Sequence, residues 1–262
     1  MTKTILITGA TDGIGLLTAE VLAAEGHLIL LHGRNAAKLE QAKSKVGGRS
    51  EIYLADMSRL ADVNRLVDEI LAKHDHIDVV INNAGVYKTP AAQTDQGFDT
   101  RFVVNTIAPY VLTRRLLSAM SPESRVVNLS SAAQAPVDIA ALKGQKRLSD
   151  MEAYAQSKLA ITIWTRELAK EMPEGPVFIA VNPGSLLASK MVREGFGMAG
   201  NDLGIGADIL TKAALSPDFA QASGKYFDND SGHFANPEQS AMNEKTAALA
   251  MNAIEELTSK VA

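Results

Sequence analysis

The stretch Ile5-Leu6-Ile7-Thr8-Gly9-Ala10-Thr11-Asp12-Gly13-Ile14-Gly15 decides the fold. Ile5 to Ile7 is a short, continuous apolar run, the pattern of a strand buried on both faces of a parallel sheet. Three glycines follow at the spacing Gly-x-x-x-Gly-x-Gly, and then a helix with Ile14, Leu17, Val21 and Leu22 at its apolar positions. In that order, the glycines let the backbone turn tightly and approach a pyrophosphate, which would sit on the free N–H groups of the helix N-terminus. The spacing differs from the Gly-x-Gly-x-x-Gly of the older dinucleotide fingerprint.

Outward from this unit the alternation repeats. Residues 27–31 read as a second strand, followed by Gly33-Arg34-Asn35 and a helix through Leu39, Ala42 and Val46 that Asn35 can cap. A third strand over 52–55 ends in Asp56-Met57, and Ser58 can cap a helix whose Leu60, Val63, Leu66, Val67 and Ile70 form one stripe. A fourth strand, 77–81, ends in Asn82-Asn83-Ala84-Gly85. A long helix over 98–120 contains Asn105, and Pro109 inside it demands a kink or a late start. The fifth strand, 125–129, ends in Ser130-Ser131; residues 132–152 are polar and irregular; a strong helix over 153–172 carries Tyr154 and Lys158 on one side. The sixth strand, 177–181, ends in Asn182-Pro183-Gly184. Gly195, Gly197, Gly200, Gly204 and Gly206 then crowd together, so residues 185–206 read as a mobile lid. A helix near 205–215, a last strand near 224–227 and a helix over 237–257 finish the chain.

Strands alternating with helices from end to end mean an α/β fold, a doubly wound parallel β-sheet with helices on both faces, in a single domain over 1–262. Ligands in such sheets bind beyond the carboxyl ends of the strands, where every polar cluster above falls. The end of the second strand meets the adenosine ribose. A carboxylate there would bond both hydroxyls of NAD, but residues 28–37 contain none and offer Arg34, whose guanidinium suits a 2′-phosphate. NADP(H) is therefore expected over NAD(H).

Composition narrows the classes. The 262 residues carry a net charge of −4 with no basic block, which argues against nucleic acid and anionic membranes as partners. There are no cysteines, so disulfides, thiol catalysis and Cys-ligated zinc are excluded. His27, His32, His74, His76 and His233 show no zinc-ligand pattern, and no metal is expected. No apolar stretch approaches the length of a membrane span, and no signal peptide is recognisable; the expectation is a cytoplasmic protein.

Tyr154 and Lys158 lie four apart, one helical turn from each other. An ammonium near a phenol favours the phenolate and so lowers the phenol from its usual value of about 10. That is the expectation for Tyr154, and it would make the residue a proton donor and acceptor usable near neutral pH. Alone the spacing is a weak signal; what precedes it supplies the meaning.

These motifs resemble the short-chain dehydrogenase/reductase family over essentially the whole chain. Thr8-Gly9-x-x-x-Gly13-Ile14-Gly15, Asn82-Asn83-Ala84-Gly85, a helical Asn105, Asn128-x-Ser130-Ser131, Tyr154-x-x-x-Lys158 and Asn182-Pro183-Gly184 occur in the family's order. The long segment before Tyr154, the Tyr-x-x-Ser-Lys-Leu-Ala form of its helix and Gly33-Arg34-Asn35 look most like the retinol dehydrogenase-like branch. The resemblance implies a Rossmann fold and a catalytic tetrad of Asn105, Ser131, Tyr154 and Lys158, the second serine of the pair being the one that aligns. It implies Gly9, Thr11, Gly13, Ile14 and Gly15 around the pyrophosphate, Asp56 and Met57 at the adenine, and Asn83 and Gly85 along the ribose side. Tyr154 and Lys158 would also meet the nicotinamide ribose, and Pro183, Gly184 and Ser189 the nicotinamide. Two departures stand out: Ala188 replaces the usual Thr four residues after Gly184, and Ser131 and Tyr154 are unusually far apart.

The implied chemistry is hydride transfer between nicotinamide and a ketone or aldehyde, an NADPH-dependent carbonyl reductase or, in reverse, an alcohol dehydrogenase. Ser131 would donate to the developing alkoxide and Tyr154 deliver the proton, while Asn105 holds a water that recharges Lys158. The alternative is an NADP-binding sensor or scaffold that has lost activity. In the family the helices containing Asn105 and Tyr154 commonly pair between subunits, which leaves a homodimer or homotetramer open. The segment 132–152, basic in its middle, is expected to form one wall of the substrate pocket, facing the glycine-rich lid across the nicotinamide.

Overall fold

Ile5 and Ile7 point to one side of the sheet and Leu6 to the other, and all three are fully buried. This is the signature of a central parallel strand covered on both faces. The computed structural model describes residues 2–188, 191–192, 197 and 199–259. The first half of the chain alternates β1 (Thr4–Ile7), α1 (Gly13–Ala24), β2 (Leu28–Gly33), α2 (Ala36–Val46), β3 (Ser50–Leu54), α3 (Leu60–Leu71) and β4 (Val79–Asn82). Then come α4 (Thr100–Phe102), a π-helical turn (Val103–Ile107) and α5 (Ala108–Leu116), followed by β5 (Arg125–Leu129). The rest is α6 (Ile139–Leu142), α7 (Asp150–Glu171), β6 (Val177–Asn182), α8 (Leu203–Leu215), β7 (Lys225–Asp228), β8 (His233–Ala235) and α9 (Glu244–Ser259).

The strands form one sheet in the order β3-β2-β1-β4-β5-β6-β7-β8, parallel throughout except that β8 runs antiparallel to β7. Strand order reverses between β1 and β4, and the ligand crevice of such a sheet opens there. One core lies under α1, α2 and α8, the other under α3, α5, α7 and α9. Among the described residues no helix is long and apolar enough to cross a membrane.

Several local expectations are corrected. The buried side of α1 is made by Gly15, Thr18, Ala19, Leu22 and Ala23, while Val21 is exposed. Ser58 does not cap α3; its hydroxyl and N–H are both bonded to the Asp56 carboxylate, and Arg59 occupies the cap position without a side-chain bond. Pro109 falls in the first turn of α5, just after the π turn. It lacks the N–H that would bond the Asn105 carbonyl, and the backbone widens into a π turn over Val103–Ile107 instead. Helix α7 begins at Asp150, because Ser149 and Glu152 close a reciprocal capping box. Strand β8 had no counterpart in the sequence reading: three residues are too few to show a period.

Candidate active site

The clusters at the strand ends do converge. Tyr154, Ser131, Pro183 and Gly184 line one cleft of about 370 Å³, together with Ile14, Tyr87, Met151, Leu186 and Leu187. Arg34 and Asp56 line a second, of about 500 Å³, beyond the ends of β2 and β3.

Ser130 and Ser131 are separated by the pleat. The Ser130 hydroxyl is buried and spent on Lys158 O at 3.0 Å and Thr162 Oγ1 at 2.7 Å. Ser131 faces the cleft and bonds the Tyr154 hydroxyl. Its carbonyl is held by the Tyr226 hydroxyl at 3.2 Å and Gln134 Nε2 at 2.9 Å. Neither partner was singled out from sequence, since each comes from a segment without a motif.

Asn105 lies in the π turn, fully buried. Its Nδ2 donates to Val86 O and Ser157 Oγ, both at 2.9 Å, and its Oδ1 accepts from Val86 N at 2.8 Å. The amide thus pins the loop after β4 to α7. Gly85 sits between Asn105 and Lys158: a Cβ there would fall 3.4 Å from Asn105 Oδ1 and 3.5 Å from Lys158 Nζ.

Lys158 is buried, donates to Leu129 O at 2.7 Å, and lies 5.7 Å from the Tyr154 ring centre. Burial pulls its ammonium down to about 8. The Tyr154 phenol is raised, not lowered: burial dominates, the Ser131 bond opposes it and Tyr87 adds to it. The phenol is thus shifted opposite to the expectation, because burial outweighs the contact that favours its charged form.

The glycine turn has the shape that a pyrophosphate needs. A Cβ on Gly9 would lie 2.9 Å from Ala84 Cα, and one on Gly15 would lie 2.4 Å from Asn83 Nδ2, so only glycine lets α1 start this close to β4. Asn83 Nδ2 locks the turn by donating to Thr8 O at 2.8 Å and Gly9 O at 3.0 Å. The Asp12 carboxylate accepts from Gly13 N, and Leu16 N already bonds Asp12 O. Ile14 and Gly15 lie in the first turn of α1, where helical N–H groups lack an intrahelical partner and are the ones an anion would meet. Thr11 closes against Gly33, where a Cβ would meet its Cγ2 at 2.5 Å. These residues fit a dinucleotide.

His32 is a member of this turn that sequence reading missed. Its Nδ1 accepts from Gly9 N at 3.2 Å and its Nε2 meets Ala55 O at 3.1 Å, which makes Nε2 the protonated nitrogen. Burial lowers it to about 4, so it is a neutral strut between β1, β2 and β3. Arg59 was missed as well. It lines the adenosine-side cleft with Arg34, and among the described residues neither guanidinium is drawn into an ion pair. Met57 is buried in the core rather than facing that cleft.

Ser189 lies outside the described residues, as does part of the expected lid. The lid's ends are tied together: Ala188 N bonds Asn201 O and Asn201 N bonds Leu186 O, both at 2.7 Å. The middle of the 132–152 segment is no wall of the cleft. Leu142 and Ala141 are drawn into the core beneath α9, Lys143 pairs with Glu256, Lys146 with Asp138, and Arg147 donates to Gln93. Only its ends, Ala132, Ala133 and Met151, reach the cleft.

Fold and site together define a dinucleotide-dependent enzyme with a tyrosine and a lysine one helical turn apart beside its cleft. The short chain dehydrogenase family model matches residues 3–197. Retinol dehydrogenase 12 of Mus musculus is 35% identical over 244 residues, 86% of this chain and 77% of the relative. A solved structure of an uncharacterised protein from Mycobacterium Paratuberculosis superposes with a TM-score of 0.83 at 29% identity, over 98% of this chain and 93% of the other. The angucycline C-6 ketoreductase LanV, solved with bound NADP, gives 0.66 at 26% identity, over 87% and 93%. The chain belongs to the short-chain dehydrogenase/reductase family, within its retinol dehydrogenase-like branch. It is an NAD(P)-dependent oxidoreductase acting on alcohol and carbonyl groups.

Proposed function

We propose that the protein is an NADPH-dependent reductase of an apolar ketone or aldehyde, reversible as an alcohol dehydrogenase. The observation that carries this is the placement of the Ser131 and Tyr154 hydroxyls, bonded to one another, in a cleft walled by Tyr87, Met151, Leu186 and Leu187. The nicotinamide cofactor supplies or takes up the hydride. Ser131 donates a hydrogen bond to the substrate oxygen, and Tyr154 gives that oxygen its proton. Lys158 holds the nicotinamide ribose and returns the proton to Tyr154, and Asn105, with the loop it pins, lines the route to solvent. The glycine turn, Asn83 and Gly85 bind the pyrophosphate and ribose; Arg34 and Arg59 take the 2′-phosphate.

Two relatives support the reading by their names: a retinol dehydrogenase, whose substrate is a long apolar alcohol, and a ketoreductase carrying NADP. The test follows NADPH fluorescence against a panel of aliphatic, aromatic and polyene aldehydes and ketones. Turnover is expected to favour the extended apolar members. Tight NADPH binding with no turnover across the panel would favour the sensor or scaffold reading instead.

A further inference from the structure

Arg101 is 1% exposed and is among the largest fully buried side chains of the protein. A guanidinium in a core must be fully partnered, and its partners show what it connects. Its Nε donates to Asp99 Oδ1 at 2.9 Å and its Nη2 to Asp99 Oδ2 at 2.7 Å, a two-pronged pair on α4. Its Nη1 reaches Asp150, the first residue of α7, and Tyr87 O at 3.4 Å, in the loop after β4. Asp150 lies four residues before Tyr154, on the same helical face. The Tyr87 ring meets the Tyr154 ring edge to face, with centres 5.4 Å apart and planes at 67°. Both tyrosines line the cleft that holds Ser131.

One buried cation therefore grips both sides of a tyrosine pair: the helix turn that launches Tyr154 and the backbone that presents Tyr87. Buried ion clusters seldom stabilise a fold better than apolar side chains of the same volume. What they do impose is one geometry. We propose that Arg101 is a positioning residue for Tyr154, acting through Asp150 and Tyr87, and that the Tyr87 ring is the surface against which the Tyr154 hydroxyl is aimed at the substrate. The proposal rests on Tyr154 being the proton donor. A hydroxyl displaced by a fraction of an ångström loses its alignment with the substrate oxygen while the glycine turn between β1 and α1 is untouched.

The groups facing the phenol are Lys158 on the same helix, Ser131 after β5 and Tyr87 after β4. A change in how Tyr87 packs alters the burial of the phenol, so the pH dependence of turnover reports it, which a purely structural role would not.

The experiment compares Tyr154→Phe, Asp150→Asn, Tyr87→Ala, Arg101→Lys and Arg101→Met in the full chain, on a substrate the unmodified protein turns over. Asp150→Asn acts at a half-exposed carboxylate and spares the core, so it remains informative if Arg101→Met does not fold. For Asp150→Asn and Tyr87→Ala, kcat is expected to fall by about tenfold and the midpoint of its pH profile to shift, with NADPH Kd changed by less than about twofold. Arg101→Lys should recover part of kcat relative to Arg101→Met, since it keeps the charge without the fork. If Tyr154→Phe is inactive while Asp150→Asn and Tyr87→Ala keep the unmodified kcat and pH midpoint, the positioning role is wrong. If Tyr154→Phe stays active, the assignment of Tyr154 falls first and this proposal with it.

Discussion

Lys158 Nζ donates to the carbonyl of Leu129 at 2.7 Å while lying 5.7 Å from the centre of the Tyr154 ring. The ammonium is thus solvated by a strand end rather than by a carboxylate, and burial lowers it to about 8. A lysine near 10.5 when unfolded and near 8 when native leaves the unfolded state holding more protons between those values. Stability therefore rises with pH across that window. Below about pH 8 the full cost of burying the charge, about 3 kcal/mol, is present. Urea unfolding of the protein alone should show stability climbing from pH 8 towards 10. Above about 10 the raised phenols of Tyr53, Tyr110, Tyr154 and Tyr226 reverse the slope. Lys158→Met should be more stable at pH 7 and lose the climb; identical profiles for the two proteins would contradict the lowered lysine.

The raised Tyr154 phenol has a consequence for direction. A phenol that stays protonated through neutral pH is ready to donate, so carbonyl reduction should run on a plateau across pH 6–8. Alcohol oxidation needs the phenolate and should accelerate as pH rises beyond that range. Tyr154→Phe should reduce turnover at least about a hundredfold with NADPH affinity nearly intact. Lys158→Ala should damage both. Initial rates in both directions, beside fluorescence titration of NADPH, decide the matter. Retention of most activity by Tyr154→Phe would sink the assigned proton donor.

Why the strands and glycine turn were legible, and the rest was not, follows from the range of the interactions. Ile5 to Gly15 is a local device: a buried strand, a turn that excludes side chains and a helix start all lie in one run. Asn35 is equally local, capping α2 through Lys38 N at 3.0 Å. The π turn around Asn105 needed Pro109 to be read for what it does to the carbonyl four residues back. His32, Arg59 and Arg101 act across the fold, on Gly9, the adenosine-side cleft and Asp150, and no spacing encodes such contacts. The same holds for the basic middle of the 132–152 segment. Its length and position suggested a pocket wall, and its basic side chains are partnered instead by Glu256, Asp138 and Gln93.

Asp230 holds the loop that follows β6. From the turn between β7 and β8 it accepts Ser185 N at 2.8 Å, Ser185 Oγ at 2.5 Å and Asn182 Nδ2 at 2.9 Å. Asn229 adds a bond to Pro183 O at 3.0 Å. Burial works to raise the Asp230 carboxyl, but the bonds from Ser185 and Asn182 prevail and hold it below its ordinary value. Asp230→Asn replaces one acceptor oxygen with a donor and should loosen the 182–185 loop. The expected result is a rise in KM for NADPH of roughly fivefold, about 1 kcal/mol, with little change in Tm. Unchanged kinetics would show that the hairpin does not govern the loop.

Helix α9 packs on α7, one of the two helices through which the family resemblance implies pairing. It buries Ala247, Ala250, Met251, Ala253, Ile254 and Leu257 in the core that holds Trp164 of α7 and Tyr110 of α5. Lys143–Glu256 at 2.5 Å and Tyr110–Glu255 at 3.4 Å fasten its C-terminal part. Pairing through α5 and α7 would require α9 to leave. The expected state is a monomer near 27.9 kDa by light scattering. Ile254→Ala should cost about 2–5 kcal/mol by leaving a cavity in that interface. A stable dimer that survives dilution and persists in this variant would place the subunit contact elsewhere.

The cofactor preference turns on two arginines. Arg34 follows the end of β2 and Arg59 precedes α3, and both line the adenosine-side cleft with Asp56 and Ser58. The Asp56 Oδ1 accepts from Ser58 N at 2.9 Å and Ser58 Oγ at 2.8 Å, which ties that carboxylate to its own turn. A charge-assisted contact to a 2′-phosphate is worth roughly 1.5–3 kcal/mol, so NADPH should bind at least about tenfold more tightly than NADH. Arg34→Ala and Arg59→Ala should each weaken NADPH and leave NADH almost unchanged, and the double variant should erase the preference. Gly33→Asp is no clean way to reverse it, because a Cβ at Gly33 would strike Thr11 of the glycine turn at 2.5 Å. Calorimetric titration of both cofactors against the four proteins tests the assignment. Equal Kd values for NADPH and NADH in the unmodified chain would reject it. A preference that survives Arg59→Ala undiminished would leave Arg34 as the sole reader of the phosphate.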